Sequence, residues 1–198
     1  HEGRCRPFEI DAALARRLKD LARRERATPF MTLLAAVEVL LARYSGQQDF
    51  AIGVPSAGRT RPELEPLVGF FVNMLPIRAD LAGRPTFVEL LGRVRARALD
   101  AYEHQELPFE RLVTELAPSR DAARNPLFQV SFALHPAGGA TWRLPGLVVD
   151  PLDVSGSESA KFDLSLTLTD ADGVLRGSLV GAAALFDEST LARIAEHF

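Results

Sequence analysis

The sequence predicts an α/β fold, with helices and strands stacked in layers around one core. Three patterns carry that expectation. Apolar residues recur at helical spacing in segments that open on capping residues, as at Thr28-Pro29 and Thr86 to Glu89. Short apolar stretches such as Phe50–Val54 and Leu127–Leu134 alternate with those segments and are too short for helices. Near the end of the chain, Phe162, Leu164, Leu166 and Leu168 alternate with Asp163, Ser165, Thr167 and Thr169, the period-2 signature of a strand with one buried face.

The elements follow in order. Asp11 is placed to cap a first helix whose Leu14, Leu18, Leu21 and Ala22 share a face, while Arg16, Arg17, Lys19, Asp20, Arg23 and Arg24 take the other. Thr28 caps a second helix with Pro29 at its first position, where a missing N–H costs nothing. Leu33, Leu34, Val37, Leu40, Leu41 and Tyr44 give it an apolar face too broad for the surface, so it should be central, and Ser45-Gly46 ends it. Phe50–Val54 reads as a buried strand, Pro55–Pro66 as a loop and Phe70–Arg78 as a second strand. Thr86 and Glu89 form a capping box, opening a helix through Leu90, Leu91, Val94 and Ala98 to about Tyr102. A shorter helix starts at Pro108, and the strand Leu127–Leu134 follows. After Phe162–Thr169, Asp170-Ala-Asp-Gly173 turns the chain and Val174–Ala183 returns as a hairpin partner. That turn lacks the later glutamate of a calcium loop. Asp187 caps a last helix with Leu191 and Ile194 inward. The sequence stops at Phe198 within that helical pattern, which suggests a piece of something longer.

The bulk numbers bound the function. The 198 residues are 47% hydrophobic and 25% charged, ordinary for a soluble globular protein. A net charge of −3 gives no electrostatic case for nucleic acid or an anionic membrane. No apolar run nears the ~20 residues of a membrane span, and no N-terminal signal segment is visible, so a cytoplasmic location is expected. Cys5, the single cysteine, excludes an internal disulfide and falls in a segment read as an exposed, ragged terminus. Pro136–Ala140 and Ser155–Ser159 are the flexible stretches, too short for domain linkers.

Four ordered segments carry a resemblance: Gly53-Val-Pro-Ser-Ala-Gly-Arg59, Val68-Gly-Phe-Phe-Val-Asn-Met-Leu-Pro-Ile-Arg78, His104-Gln-Glu-Leu-Pro-Phe-Glu110 and Arg120-Asp-Ala-Ala-Arg-Asn-Pro-Leu127. With Lys161-Phe-Asp-Leu164 and Leu185-Phe-Asp187, they resemble the later motifs of the condensation domains of non-ribosomal peptide synthetases. Met74, Glu106 and Ala123 stand where Thr, Asp and Ser are commoner. The family's H-H-x-x-x-D-G signature belongs to its N-terminal lobe and does not occur here; the histidines are His1, His104, His135 and His197.

The resemblance implies that residues 1–198 are the C-terminal lobe of such a domain, a two-layer chloramphenicol-acetyltransferase-like sandwich with a mixed sheet packed against helices. The intact enzyme joins a donor acyl or peptidyl thioester to an acceptor aminoacyl thioester. Both ride on phosphopantetheine arms of carrier proteins, with no bound cofactor or metal. Implied partners are the N-terminal lobe and the donor and acceptor carrier proteins. This lobe alone should be inactive.

Asn73, Gly69 and Ser56 are the channel or oxyanion candidates. Asn73 could orient a carbonyl or oxyanion, or simply satisfy backbone groups at a strand end. Ser56 is not in a G-x-S-x-G elbow. Arg59, Arg78, Pro108 and Phe109 are architectural. His104, at a helix junction, should cap backbone carbonyls. Arg120, Asp121 and Arg124 should form a salt-bridged turn, with Asn125-Pro126 completing it. Residues 135–161 could be an arm crossing to the other lobe, with Trp142 buried against it. Two rivals stand beside this reading: a non-catalytic carrier-docking lobe, and a related epimerization or acyltransferase domain. By its resemblance to the family motif, the Phe71-Val72-Asn73 segment favours condensation over epimerization.

Overall fold

A computed structural model describes residues 2–116, 124–136, 146–147, 159–171 and 173–198. Among these are six strands in one mixed sheet, in the order β1-β6-β5-β4-β2-β3. The strands are β1 Gly3–Ile10, β2 Asp49–Ser56, β3 Asn73–Asp80, β4 Val130–His135, β5 Leu164–Ala171 and β6 Val174–Ala182. The helices are α1 Ala12–Arg24, α2 Pro29–Ser45, α3 Phe87–Glu103, α4 Phe109–Leu116 and α5 Glu188–His197. Strands β5 and β4, and β4 and β2, run parallel; the other neighbours are antiparallel. No single helix among the described residues is long and apolar enough to cross a membrane.

The helices form where local chemistry fixes their ends. The Asp11 carboxylate accepts from the amides of Ala13 and Leu14, and the Thr28 hydroxyl accepts from Met31 N–H. At the head of α3, Thr86 Oγ1 accepts from Glu89 N–H while the Glu89 carboxylate accepts from Thr86 N–H at 2.7 Å. Those bonds hold the Glu89 carboxyl below its ordinary range. Gly46 ends α2 in the left-handed region at φ 71°, which only glycine adopts freely.

Helix α2 is central, as its broad apolar face requires: Met31, Leu33, Leu34, Ala35 and Val37 are buried. It packs on α1, α3 and β4, and with α5 these helices cover one sheet face. The period-2 pattern supplies that face with Phe132, Leu164, Leu166, Leu168, Leu175 and Leu179, joined by Ile52, Val54 and Ile77.

Several expected boundaries are corrected. Residues 3–10 are not a ragged terminus but an edge strand pairing β6 from Gly3–Ala182 to Ile10–Leu175. The physical reason lies in Gly177, whose missing side chain leaves the room that the Phe8 ring fills. Strand β2 runs on through Pro55 and Ser56, expected as loop, because both pair with β3. Conversely, residues 70–72 lie outside β3, and β4 begins three residues later than expected. Leu127, at φ 67°, and the bond from Phe128 N–H to the Pro126 carbonyl bend the chain there before it can join the sheet. The β5–β6 hairpin closes with Ala171 opposite Val174, as the turn residues imply.

Candidate functional site

The sheet has a second face, and its chemistry differs. Alternation that sends Phe132 and Leu134 toward the helices sends Ser131, Ala133 and His135 the other way, and the same holds for Ser165 and Thr167 in β5. The parallel register sets Ser131 beside Ser165, and Ser131 Oγ donates to Ser165 Oγ at 2.9 Å. With Pro55, Met74 and Val180, these residues floor an open groove of about 1250 Å³. Its walls come from Thr60, Arg61, Leu64, Phe70 and Phe71 on one side and Phe109, Lys161 and Phe162 on another.

An aromatic cluster anchors the groove. Phe128, buried, lies 5.3 Å from the Phe109 ring and 5.5 Å from Phe162. Its ring rests on the backbone of Gly53, where a Cβ would stand only 2.0 Å from it. Charges around the groove are mixed: Arg61 and Lys161 against Glu106 and Glu110, with His135 at the end of β4. Among the described residues no group of three or more His, Cys, Asp or Glu could hold a metal ion.

Asn73 lines this groove but its amide is already engaged. Both Nδ2 hydrogens go to backbone carbonyls, of Gln105 at 2.9 Å and Leu107 at 2.8 Å. Its Oδ1 accepts from Phe109 N–H at 3.0 Å. A carboxamide has two N–H hydrogens, and in this structure both of those of Asn73 are engaged by the backbone. Ser56, opposite Asn73 in the register, donates to Gln105 Oε1 at 2.7 Å. The two side chains together fasten the α3–α4 junction to the sheet. Neither Ser56 nor Gly69 is among the residues that line the groove; Gly69 packs against the Phe71 ring beside the wall.

The other described motif residues make contacts within the fold. Arg59 bonds the carbonyls of Leu64, Glu65 and Leu67. Arg78 makes a two-pronged pair with the Asp49 carboxylate at 2.7 and 2.6 Å, which holds Asp49 below its usual range. His104 Nδ1 bonds the Asp100 carbonyl at 2.9 Å. Since a carbonyl only accepts, Nδ1 is the donor and the ring caps the end of α3. Pro108, whose carbonyl accepts from Arg111 N–H, opens α4 and lines the groove beside Phe109. Asn125 Nδ2 donates to the Lys161 carbonyl, tying the residues before β4 to those before β5; Pro126 follows in the bend, and Arg124 is exposed. Arg120, Asp121 and Trp142 lie outside the described residues, as does most of the 135–161 arm.

Among the described residues, the most perturbed acid stands in the helical layer instead. Glu38 is buried on α2, its Oε1 has no hydrogen-bond partner, and burial pushes its carboxyl up to about 8. Arg97 pulls it down and Asp80 pushes it further up, each by less than burial does. Sequence reasoning misses this residue, although it sits four residues after the fully buried Leu34, on the same side of the helix.

A mixed sheet clad in helices on one face and carrying an open, hydroxyl-floored groove on the other is a fold of the chloramphenicol-acetyltransferase-like class. Residues 3–198 match the condensation-domain family, and the chain belongs to it. It is 45% identical to a linear gramicidin synthase of Brevibacillus parabrevis over its whole length, which is 4% of that protein. It is 46% identical to chondramide synthase cmdD of Chondromyces crocatus over 96% of the chain and 5% of that protein. The X-domain from teicoplanin biosynthesis superimposes with a TM-score of 0.86 at 30% identity, over 98% of this chain and 45% of that one. The condensation domain of the Monacolin K polyketide synthase MokA gives 0.79 at 25%, over 98% and 47%. The chain thus spans under half of these solved structures and a few percent of the synthases. Condensation domains of peptide synthetases are amide-forming acyltransferases.

Proposed function

We propose that this chain is one lobe of a condensation domain, supplying a wall of the channel where a donor thioester meets an acceptor amine. The single observation that carries this reading is the groove: open along one side, floored by small hydroxyl and apolar side chains, and roomy beyond the usual 300–1,000 Å³ of a ligand pocket. A crest of exposed apolar residues beside it, Leu67, Val68, Phe70 and Val72, fits a surface that another lobe covers.

In this function the amine nitrogen of the acceptor attacks the donor thioester carbon, the C–S bond breaks, and the donor arm leaves as its thiol. Both substrates are held on phosphopantetheine arms of carrier proteins, so no enzyme nucleophile is required. By the family resemblance, the catalytic signature H-H-x-x-x-D-G belongs to the N-terminal lobe, and the proton that the amine loses leaves through groups outside this chain. The residues described above bind and orient the two chains, and the donors of any oxyanion hole come from groups other than the Asn73 amide.

The test is amide formation between loaded carrier proteins, assayed by mass spectrometry of the product. The full natural chain turns over; residues 1–198 alone do not. Turnover by residues 1–198 alone would sink the two-lobe reading.

A further inference from the structure

We propose that Arg59 is the positioning residue that sets the shape of the groove wall, and so the affinity of the site for its substrate; this rests on reading the groove as the substrate channel. The wall segment, residues 60–71, makes little regular structure. Its internal backbone bonds are a short turn at Pro62–Leu64: Leu64 N–H to Arg61, Glu65 N–H to Pro62 and Leu67 N–H to Leu64, at 3.0, 3.2 and 3.3 Å. It buries no large side chain, and Val68 and Phe70 are almost wholly exposed. A segment that buries so little has no core contacts to fix it.

Arg59 supplies the missing constraint. One guanidinium nitrogen bonds the carbonyls of Leu64 and Glu65, and another bonds that of Leu67 at 2.9 Å. The guanidinium carbon stands 4.4 Å from the centre of the Phe71 ring, within cation–π range. The start and the end of the segment are thereby gathered on one side chain. Gly58 lets them approach: at φ 64° its Cβ would stand 1.9 Å from the Phe71 carbonyl oxygen. Thr60 Oγ1 then ties the segment to Glu106 at 3.0 Å, across the groove mouth. Thr60, Leu64, Phe70 and Phe71 all line the groove, so what holds the segment also sets the wall.

The planar fork is what this task needs. Lysine carries a compact ammonium on a flexible stem and cannot reproduce several fixed bonds plus a flat face over an aromatic ring. The test compares wild type with Arg59→Lys in the full natural chain, by hydrogen exchange of residues 57–72 and by steady-state condensation kinetics. Exchange in that segment is expected to rise roughly tenfold with the rest unchanged, and KM for a loaded substrate to rise about tenfold with kcat within about twofold. Unchanged exchange, or faster exchange with an unmoved KM, overturns the proposal. A fall in kcat matching a loss of folded protein also overturns it, because that is a structural role alone. Should Arg59→Lys fail to fold, Phe71→Leu, which keeps the carbonyl bonds and removes the ring, is judged on the same two readouts. A wild-type chain that forms no amide refutes the channel reading instead, and exchange still judges the clamp.

Discussion

Glu38→Gln removes a buried acid whose Oε1 lacks a partner while keeping its shape, and its effect is a change of slope with pH. The Glu38 carboxyl rises from 4.5 to about 8 in the folded protein, with burial as the main cause. A raised folded value means the native state holds a proton that the unfolded chain has released. Stability from this group is therefore complete below about pH 4.5 and is lost as pH climbs toward 8. At roughly 1.4 kcal/mol per unit, the full loss is about 5 kcal/mol, of which about 3 kcal/mol is gone at pH 7. The Arg97 guanidinium limits the penalty and Asp80 enlarges it. In Glu38→Gln that slope disappears, whatever constant offset the buried amide adds. Denaturant unfolding at pH 5, 6, 7 and 8 measures it: the wild type should lose stability relative to the variant at each step. Parallel curves across that range would mean Glu38 is ionised in the folded state, and the account of its burial would fail.

The other predictions rest on geometry. Asn73→Ala strips three hydrogen bonds from the α3–α4 junction and should cost about 2 kcal/mol of stability, with the rate per folded molecule nearly unchanged. A fall of 100-fold or more in that rate, the size expected for losing an oxyanion donor, would return the amide to the chemistry. Gly53→Ala places a methyl in the Phe128 ring and should destabilise by about 3 kcal/mol, visible as a lower denaturation midpoint. Thr86→Ala breaks the capping box and should cost about 1 kcal/mol, read the same way.

What the sequence reveals is what is locally determined. The starts of α1, α2, α3 and α5 are legible because Asp11, Thr28, Thr86 and Asp187 cap amides within three residues of themselves. The alternation of β5 is legible for a similar reason, since each side chain's face follows from its neighbours. Strand β1 is not, because its place depends on Gly177 far along the chain making room for Phe8. The groove floor is half visible: β4 and β5 each show a polar stripe, but only sheet order brings Ser131 against Ser165. The motif residues are recognisable as a set, while their roles are not. Asn73 and Arg59 act on backbone atoms up to 36 and 8 residues away, and backbone atoms leave no trace in a pattern of side chains.

The pairing of β1 with β6 sets an order on the birth of the molecule. Arg4 bonds the carbonyl of Ala183, 179 residues further along, so β1 waits for a strand that is synthesised long after it. Until β6 emerges, Phe8 and Ile10 have no sheet to join, and the exposed edge of β1 is available to unintended neighbours. Closure over so long a stretch makes assembly of this layer slow compared with its helices. Variants that weaken β1 should betray themselves in the yield of soluble protein before they alter anything at the groove.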